Sequence, residues 1–179
     1  MENNTKLEIM AVSKQLFNER GYNNVSIKDI GDSLGISKGN ITYHFKKKED
    51  ILIALISANI ESHSFSQPQN MDELKVFFDN MQATVQENRF YFANYIDICD
   101  ASDLLLDMRK NSLSKLENEL FTIIKDFMDK GIIKHSTNEK ISSLVDALLI
   151  ANIYWPQYQQ FNQTYKDKSF SEFAMNLLA

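Results

Sequence analysis

Between Ser37 and Lys48 the chain reads SKGNITYHFKKK. Lys38, Asn40, Thr42, Tyr43 and His44 crowd amine, amide, hydroxyl, phenol and imidazole groups into about two helical turns of chain. As a set these groups suit one task, hydrogen bonding to a nucleic acid. Lysine and asparagine reach base edges, and tyrosine and histidine donate to phosphate oxygens. Gly39 withholds a side chain where a helix must approach another surface closely. Lys46, Lys47 and Lys48 follow, with no acid between them and Lys38. Phosphate attraction depends on such local charge rather than on the total. A lysine run is elsewhere commonly just a solvated face; here its place in the chain argues otherwise.

That place is set by two helix starts. Ser26 and Asp29 have the spacing of a capping box, in which each side chain satisfies a free N–H of the other. A helix over about 27–34 follows, and Gly35 supplies the positive φ that ends it. Ser37 then caps a second short helix. Two short helices about a tight Gly-containing turn make a helix-turn-helix, whose second helix enters the major groove of DNA. Ser26, Ile27 and Ser37 join the candidate set at the helix starts. Lys48 opens the next helix, where the macrodipole disfavours a cation, so a DNA phosphate is its expected partner.

The remainder predicts an all-α protein of about nine helices. Five glycines and two prolines punctuate the chain, and no hairpin signal or sustained period-two alternation occurs. Helices are expected over about 5–20, from Lys48 to before Pro68, from Asn70, over about 89–99, along a stripe from Leu113 to Phe127 stopped by Gly131, over about 138–161 and from Ser169. Asn70 with Glu73, Ser136 with Glu139 and Ser169 with Glu172 repeat the capping-box spacing. The expected division is a helix-turn-helix domain over 1–47 and a C-terminal ligand-binding and dimerisation domain over 48–179.

The bulk numbers allow this. Eight Lys/Arg face seven Asp/Glu in residues 1–50, and eleven face seventeen in residues 51–179, so the positive charge sits where the motif lies. A single cysteine, Cys99, excludes an internal disulfide framework and fits a reducing cytoplasm. The polar start MENNTKLEIM lacks the apolar stretch of a signal peptide, and no apolar run reaches the length of a membrane span. Three scattered histidines and one cysteine do not make a metal site. No Gly-rich phosphate loop or nucleophile elbow occurs, which leaves no residue to name as catalytic and no cofactor to expect.

Residues 10–52, with LFNERGYNNVSIKDIGDSLGISKGNITYHFKKKEDIL at their heart, resemble the DNA-binding region of the TetR family of bacterial transcription regulators. Phe17, Gly21 and Tyr22 match the exit of the first helix. Ser26, Ile27, Asp29 and Ile30 match the second. Gly35, Ser37, Lys38, Gly39, Tyr43, Phe45, Lys48 and Leu52 match the turn, the recognition helix and the start of the fourth. Two positions depart. Gly31 stands where alanine is usual, which should loosen its helix by somewhat under about 1 kcal/mol, and Lys47 stands where a capping serine is common. The resemblance implies a cytoplasmic homodimer on a near-palindromic double-stranded operator. It also implies a small-molecule effector bound in the C-terminal domain, whose binding releases the DNA.

The C-terminal domain offers candidates for both roles. Aromatic and apolar residues interspersed with polar ones suit a small-molecule site: His63, Phe65, Phe78, Met81, Phe92, Tyr95, Ile96, Cys99, Leu113, Leu116, Trp155 and Tyr158. Asp97 and Asp100 beside them suggest a cationic effector, since a buried carboxylate needs a partner. The stretch Leu144–Trp155 is apolar nearly all round, as in a helix buried on two sides. Val145, Leu148 and Asn152 would face its own core, and Leu144, Ala147, Ala151 and Tyr154 a partner subunit. Phe170, Phe173 and Leu177 would join them in a four-helix interface. The competing readings are an activator of the same family, a helical protein-interaction module without DNA binding, and an enzyme.

Overall fold

In a computed structural model of the protein, residues 2–62, 66–93, 98 and 102–179 are described. Among them lie nine α-helices and no strand. They are α1 (Glu2–Arg20), α2 (Ile27–Leu34), α3 (Lys38–His44), α4 (Lys48–Ser62), α5 (Met71–Glu87), α6 (Arg89–Ala93), α7 (Asp103–Asp129), α8 (Asn138–Phe161) and α9 (Phe170–Leu178). The expected all-α fold is therefore observed. α7 begins ten residues before the stripe that predicted it, with Leu105 buried in its first turn.

The chain forms two compact units, one of residues 1–64 and 88–105, the other of residues 65–87 and 106–179. In the first, Ile9, Ser13, Leu16 and Phe17 form the buried face of α1, at helical spacing. α2, α4 and α6 pack on α1. Asn18 holds α6 by accepting the Phe90 N–H at 3.0 Å, and the Phe17 and Phe90 rings lie 5.5 Å apart. Ile51, Leu52, Leu55 and Ile56 of α4 are buried. Burying each side chain of this size contributes about 1.5–3 kcal/mol. α4 thus packs with the N-terminal helices, whereas the sequence suggested a boundary at 47/48.

The second unit has one core. It takes Leu74, Phe77, Phe78 and Met81 from α5, Leu120, Ile124 and Phe127 from α7, Val145, Leu148 and Trp155 from α8, and Phe170, Ala174 and Leu178 from α9. Its helix starts partly follow the sequence expectation. Ser169 and Glu172 form a full capping box. Asn70 accepts the Glu73 N–H at 2.9 Å, but the Glu73 carboxylate turns to the Asn70 amide and the Gln69 N–H, each at 2.8 Å. α8 is capped by Thr137 rather than Ser136: the Thr137 hydroxyl accepts the Lys140 N–H at 3.4 Å. Threonine one residue on is also a favoured cap.

Candidate nucleic-acid interface

The helix-turn-helix is built by short-range hydrogen bonds that its sequence dictates. The Ser26 hydroxyl accepts the Asp29 N–H at 3.2 Å, and the Asp29 carboxylate accepts the Ser26 N–H at 2.8 Å and its hydroxyl. These donors hold the Asp29 carboxyl below its ordinary pKa. Gly35 ends α2 at φ 67° with nothing near its α-carbon face, so backbone conformation alone requires glycine there. Ser37 caps α3 by accepting the Asn40 N–H at 3.2 Å.

Gly31 has a different reason. The Ile36 N–H donates to the Gly31 carbonyl at 3.0 Å, and a β-carbon at Gly31 would lie 2.8 Å from the Ile36 carbonyl oxygen. The tight turn, rather than a loosened helix, explains the glycine. The expected flexibility is offset by closer packing of backbone on backbone.

Ile41 and Phe45 anchor α3 in the core of the unit. The opposite face carries Gly39, Asn40 and Tyr43, with Lys38 and Thr42 along its edge. Tyr43 is 66% exposed and its ring lies 5.1 Å from that of His44. Thr42 turns its hydroxyl inward, donating to the Gly39 carbonyl at 3.2 Å. A β-carbon at Gly39 would make only an ordinary 3.7 Å contact with Ser37 Oγ. Nothing within the chain demands glycine at 39, so the flat patch beside Tyr43 is available for an external surface. Lys38 and Lys46 are exposed beside it. Ser26 and Ile27 lie at the start of α2, Ser26 as the cap and Ile27 half-buried.

Lys48 has partners inside the protein that its sequence does not announce. Its ammonium donates to the carbonyl oxygens of Tyr22 and Val25 at 2.7 and 2.8 Å and sits 4.1 Å from the centre of the Tyr22 ring. Burial pulls its pKa below the ordinary lysine value. The same packing, with the Glu49 charge nearby, raises that of Tyr22. The helix dipole disfavours a cation at this position, and two main-chain carbonyls offset that disadvantage from inside the protein. An ammonium has three donors, so one remains for a phosphate. Lys47 pairs with Glu49 at 2.6 Å, and its N–H donates to the Asp50 carboxylate at 3.0 Å. Half of a capping box thus survives without the usual serine.

The effector candidates divide. Phe78, Met81 and Trp155 meet in the core of the second unit, with Leu113 and Leu116 half-buried against it. Tyr158 is largely exposed, though its ring lies 6.2 Å from that of Trp155. Phe92 is half-buried in α6 and belongs to the first unit. His63, Phe65, Tyr95, Ile96, Asp97, Cys99 and Asp100 lie outside the described residues. His135 is exposed. Among the described residues no three His, Cys, Asp or Glu side chains cluster as metal ligands.

The dimer candidates are also re-sorted. Ala147, Tyr154 and Leu177 are exposed, and Leu144 and Ala151 are half-buried. Phe170 is only 1% exposed, with its ring 5.9 Å from both Phe78 and Trp155, so it is a core residue and not a surface for a partner. Phe173 is half-buried against the same core. α8 turns to the core the side that its sequence assigned to it. Val145, Leu148, Asn152 and Trp155 are buried, so the free side carries Ala147, Ile150, Tyr154 and Phe161. Ile150 and Phe161, 61% and 85% exposed, were missed. Their spacing of three, four and seven residues along one face was the available signal.

By fold and by site this is a helix-turn-helix protein with an attached helical unit. Residues 9–55 match the family model of bacterial regulatory proteins of the tetR family, and residues 56–177 match that of a bacterial transcriptional repressor. The chain belongs to the TetR family of bacterial transcription regulators. It is 24% identical over 144 residues to the HTH-type transcriptional regulator QacR of Staphylococcus aureus, a match covering 80% of this chain and 66% of that one. A second S. aureus HTH-type regulator, of strain USA300, is 29% identical over 84 residues, covering 47% of this chain and 44% of its own. The chain therefore spans less than two thirds of these relatives. A TetR-family regulator from Marinobacter aquaeolei VT8 shares the fold at TM-score 0.88 and 19% identity, with 97% of this chain and 89% of that one covered. A regulator from Saccharomonospora viridis, solved in complex with choline, does so at 0.77 and 18%, covering 98% and 94%.

Proposed function

We propose that this protein is a ligand-responsive DNA-binding transcription regulator rather than an enzyme. In this reading it is a cytoplasmic homodimer that holds a near-palindromic operator as a repressor and releases it when a small molecule binds the second unit. The observation that carries the reading is the outward face of α3. Ile41 and Phe45 fix the helix, and Gly39 leaves a flat patch beside Tyr43 that the fold itself does not require. Tyr43, Asn40 and Lys38 there supply base-edge and phosphate contacts.

The exposed α8 face of Ala147, Ile150, Tyr154 and Phe161 supports dimerisation. An apolar stripe of this length on a water-exposed helix calls for a cover, and a second copy supplies one through a two-fold interface. Two copies in turn present two α3 helices to two half-sites. No described helix is long and apolar enough to cross a membrane.

The test is selection of DNA fragments from the source genome by the purified chain, with Lys38→Ala and Tyr43→Ala alongside. A shared near-palindrome is expected, weakened in both variants and steeply salt-dependent. Lys48→Ala is a poor reporter, because it also removes the bonds to Tyr22 and Val25. Equal capture of all fragments by wild type and variants rejects the reading in favour of a protein-interaction module. Whether the operator-bound form represses or activates is read from a reporter gene placed behind the recovered site.

A further inference from the structure

Buried polar atoms without partners concentrate in the second unit. Asn152 and Trp155 are 5% and 3% exposed, yet Asn152 Oδ1 and Trp155 Nε1 make no hydrogen bond. Gln82 is half-buried, and both its amide oxygen and its amide nitrogen are shielded from solvent and unpaired. A buried polar atom without a partner bears its full desolvation penalty. Folded proteins keep few of them, and each calls for a reason.

Gln82 stands on α5, which packs against the α8 of Asn152 and Trp155. Asn152 and Trp155 lie three residues apart on α8, and so on one face. The Trp155 ring is 5.9 Å from Phe170, whose ring is 5.9 Å from Phe78. Gln82 follows Phe78 by one turn of α5. Pro156 adds to the set: lacking an N–H, it cannot make the helical bond to the Asn152 carbonyl. The set therefore offers acceptors at Asn152 and Gln82 and donors at Trp155 and Gln82.

Those groups select by charge. A quaternary cation leaves the indole N–H unpaired, since it accepts nothing. A carboxylate satisfies the donors but sets its own oxygens against those of Asn152 and Gln82. A neutral group that both donates and accepts pairs with all of them. We propose that Gln82, Asn152 and Trp155 form the hydrogen-bonding part of the effector site, and that the effector is a neutral aromatic molecule bearing a carboxamide or lactam. This rests on the reading of the second unit as the effector-binding part.

Trp155 is the only tryptophan of the chain, so its emission reports on this site alone. The experiment titrates the full chain with benzamide, benzoate and benzyltrimethylammonium, which share a ring and differ in charge. Benzamide is expected to shift the emission saturably and to bind at least tenfold more tightly than either ion. Asn152→Leu and Gln82→Met each weaken it at least tenfold. Asn152→Leu also raises the melting temperature, because the oxygen it removes had no partner, which shows that the variant folds. No saturable response to benzamide, an ion bound as tightly, or unchanged benzamide affinity in both variants overturns the proposal. Operator binding by the unliganded wild type is measured in parallel. If it is retained beside any of those outcomes, only this site chemistry is rejected; if it is absent, the regulator reading falls.

Discussion

Lys48 Nζ lies 2.7 Å from the carbonyl oxygen of Tyr22, and this bond ties the first turn of α4 to the connection between α1 and α2. The second bond, to Val25 at 2.8 Å, reaches the residue just before the Ser26 cap. The helix that follows the helix-turn-helix in sequence thus holds the start of that motif in space. A displacement of the α4 start would be felt at the beginning of α2.

Lys48→Met keeps the aliphatic stem and removes the charge-assisted donors. It should cost about 1.5–3 kcal/mol of stability, seen as a lower urea midpoint, and Lys48→Arg should recover only part because its planar fork has a different geometry. An unchanged midpoint would falsify the structural role. A drop of about one unit in the slope of log affinity against log salt, with the midpoint held, would instead assign Lys48 to a phosphate.

Three glycines should respond in three ways. Gly35→Ala forces a β-carbon into the left-handed region and should destabilise by about 1–2 kcal/mol. Gly39→Ala should stabilise the fold by up to about 1 kcal/mol and still weaken operator binding. Gly31→Ala should destabilise despite the better helix propensity of alanine, because its β-carbon would meet the backbone carbonyl oxygen of Ile36 at 2.8 Å. Thermal melting and DNA titration of the three variants check the pattern; equal DNA affinity for Gly39→Ala and wild type would remove the close-approach argument.

Charge on the free face of α8 should separate the proposed dimer without unfolding its subunits. Tyr154→Glu and Ile150→Glu alter side chains 54% and 61% exposed in the single chain. Central apolar anchors of an interface are worth about 2 kcal/mol or more, roughly thirtyfold in affinity. Sedimentation equilibrium should therefore show monomers with the helical content intact. Dimers of wild-type affinity would place the interface elsewhere.

Acid should loosen the α2 cap through Asp29. Its folded pKa lies below its unfolded one, because the Ser26 hydroxyl and N–H donate to the carboxylate. Its contribution is therefore complete above the unfolded value, about 3.9, and is lost as pH falls through the lower folded value. Asp29→Asn should lower stability at neutral pH by more than it does at the acid end. A stability gap that stays constant down to that range would show that the carboxylate charge does not act in the cap.

Much of this was legible in the residues themselves. The caps at Ser26, Ser37 and Ser169, the glycine stop at Gly35 and the one-sided stripe of α5 act within a few residues of chain, so local spacing is enough to read them. The outward face of α3 was legible for the same reason. What could not be read depended on partners far away in sequence. The internal partners of Lys48 stayed hidden because the Tyr22 and Val25 carbonyls, more than twenty residues earlier, leave no local trace. Gly31 looked like a weak point because its constraint comes from the Ile36 carbonyl across the turn.

The sequence by itself determined an all-α chain with a capped helix-turn-helix and a basic, polar second helix, because hydrogen bonds and periodicity over three or four residues suffice for that. Only the tertiary structure decided that Phe170 lies inside and Phe161 outside, and that polar atoms of Asn152, Trp155 and Gln82 are shielded without partners. Those outcomes depend on which helix packs against which. An apolar residue looks the same in sequence whether a neighbouring helix covers it or water does.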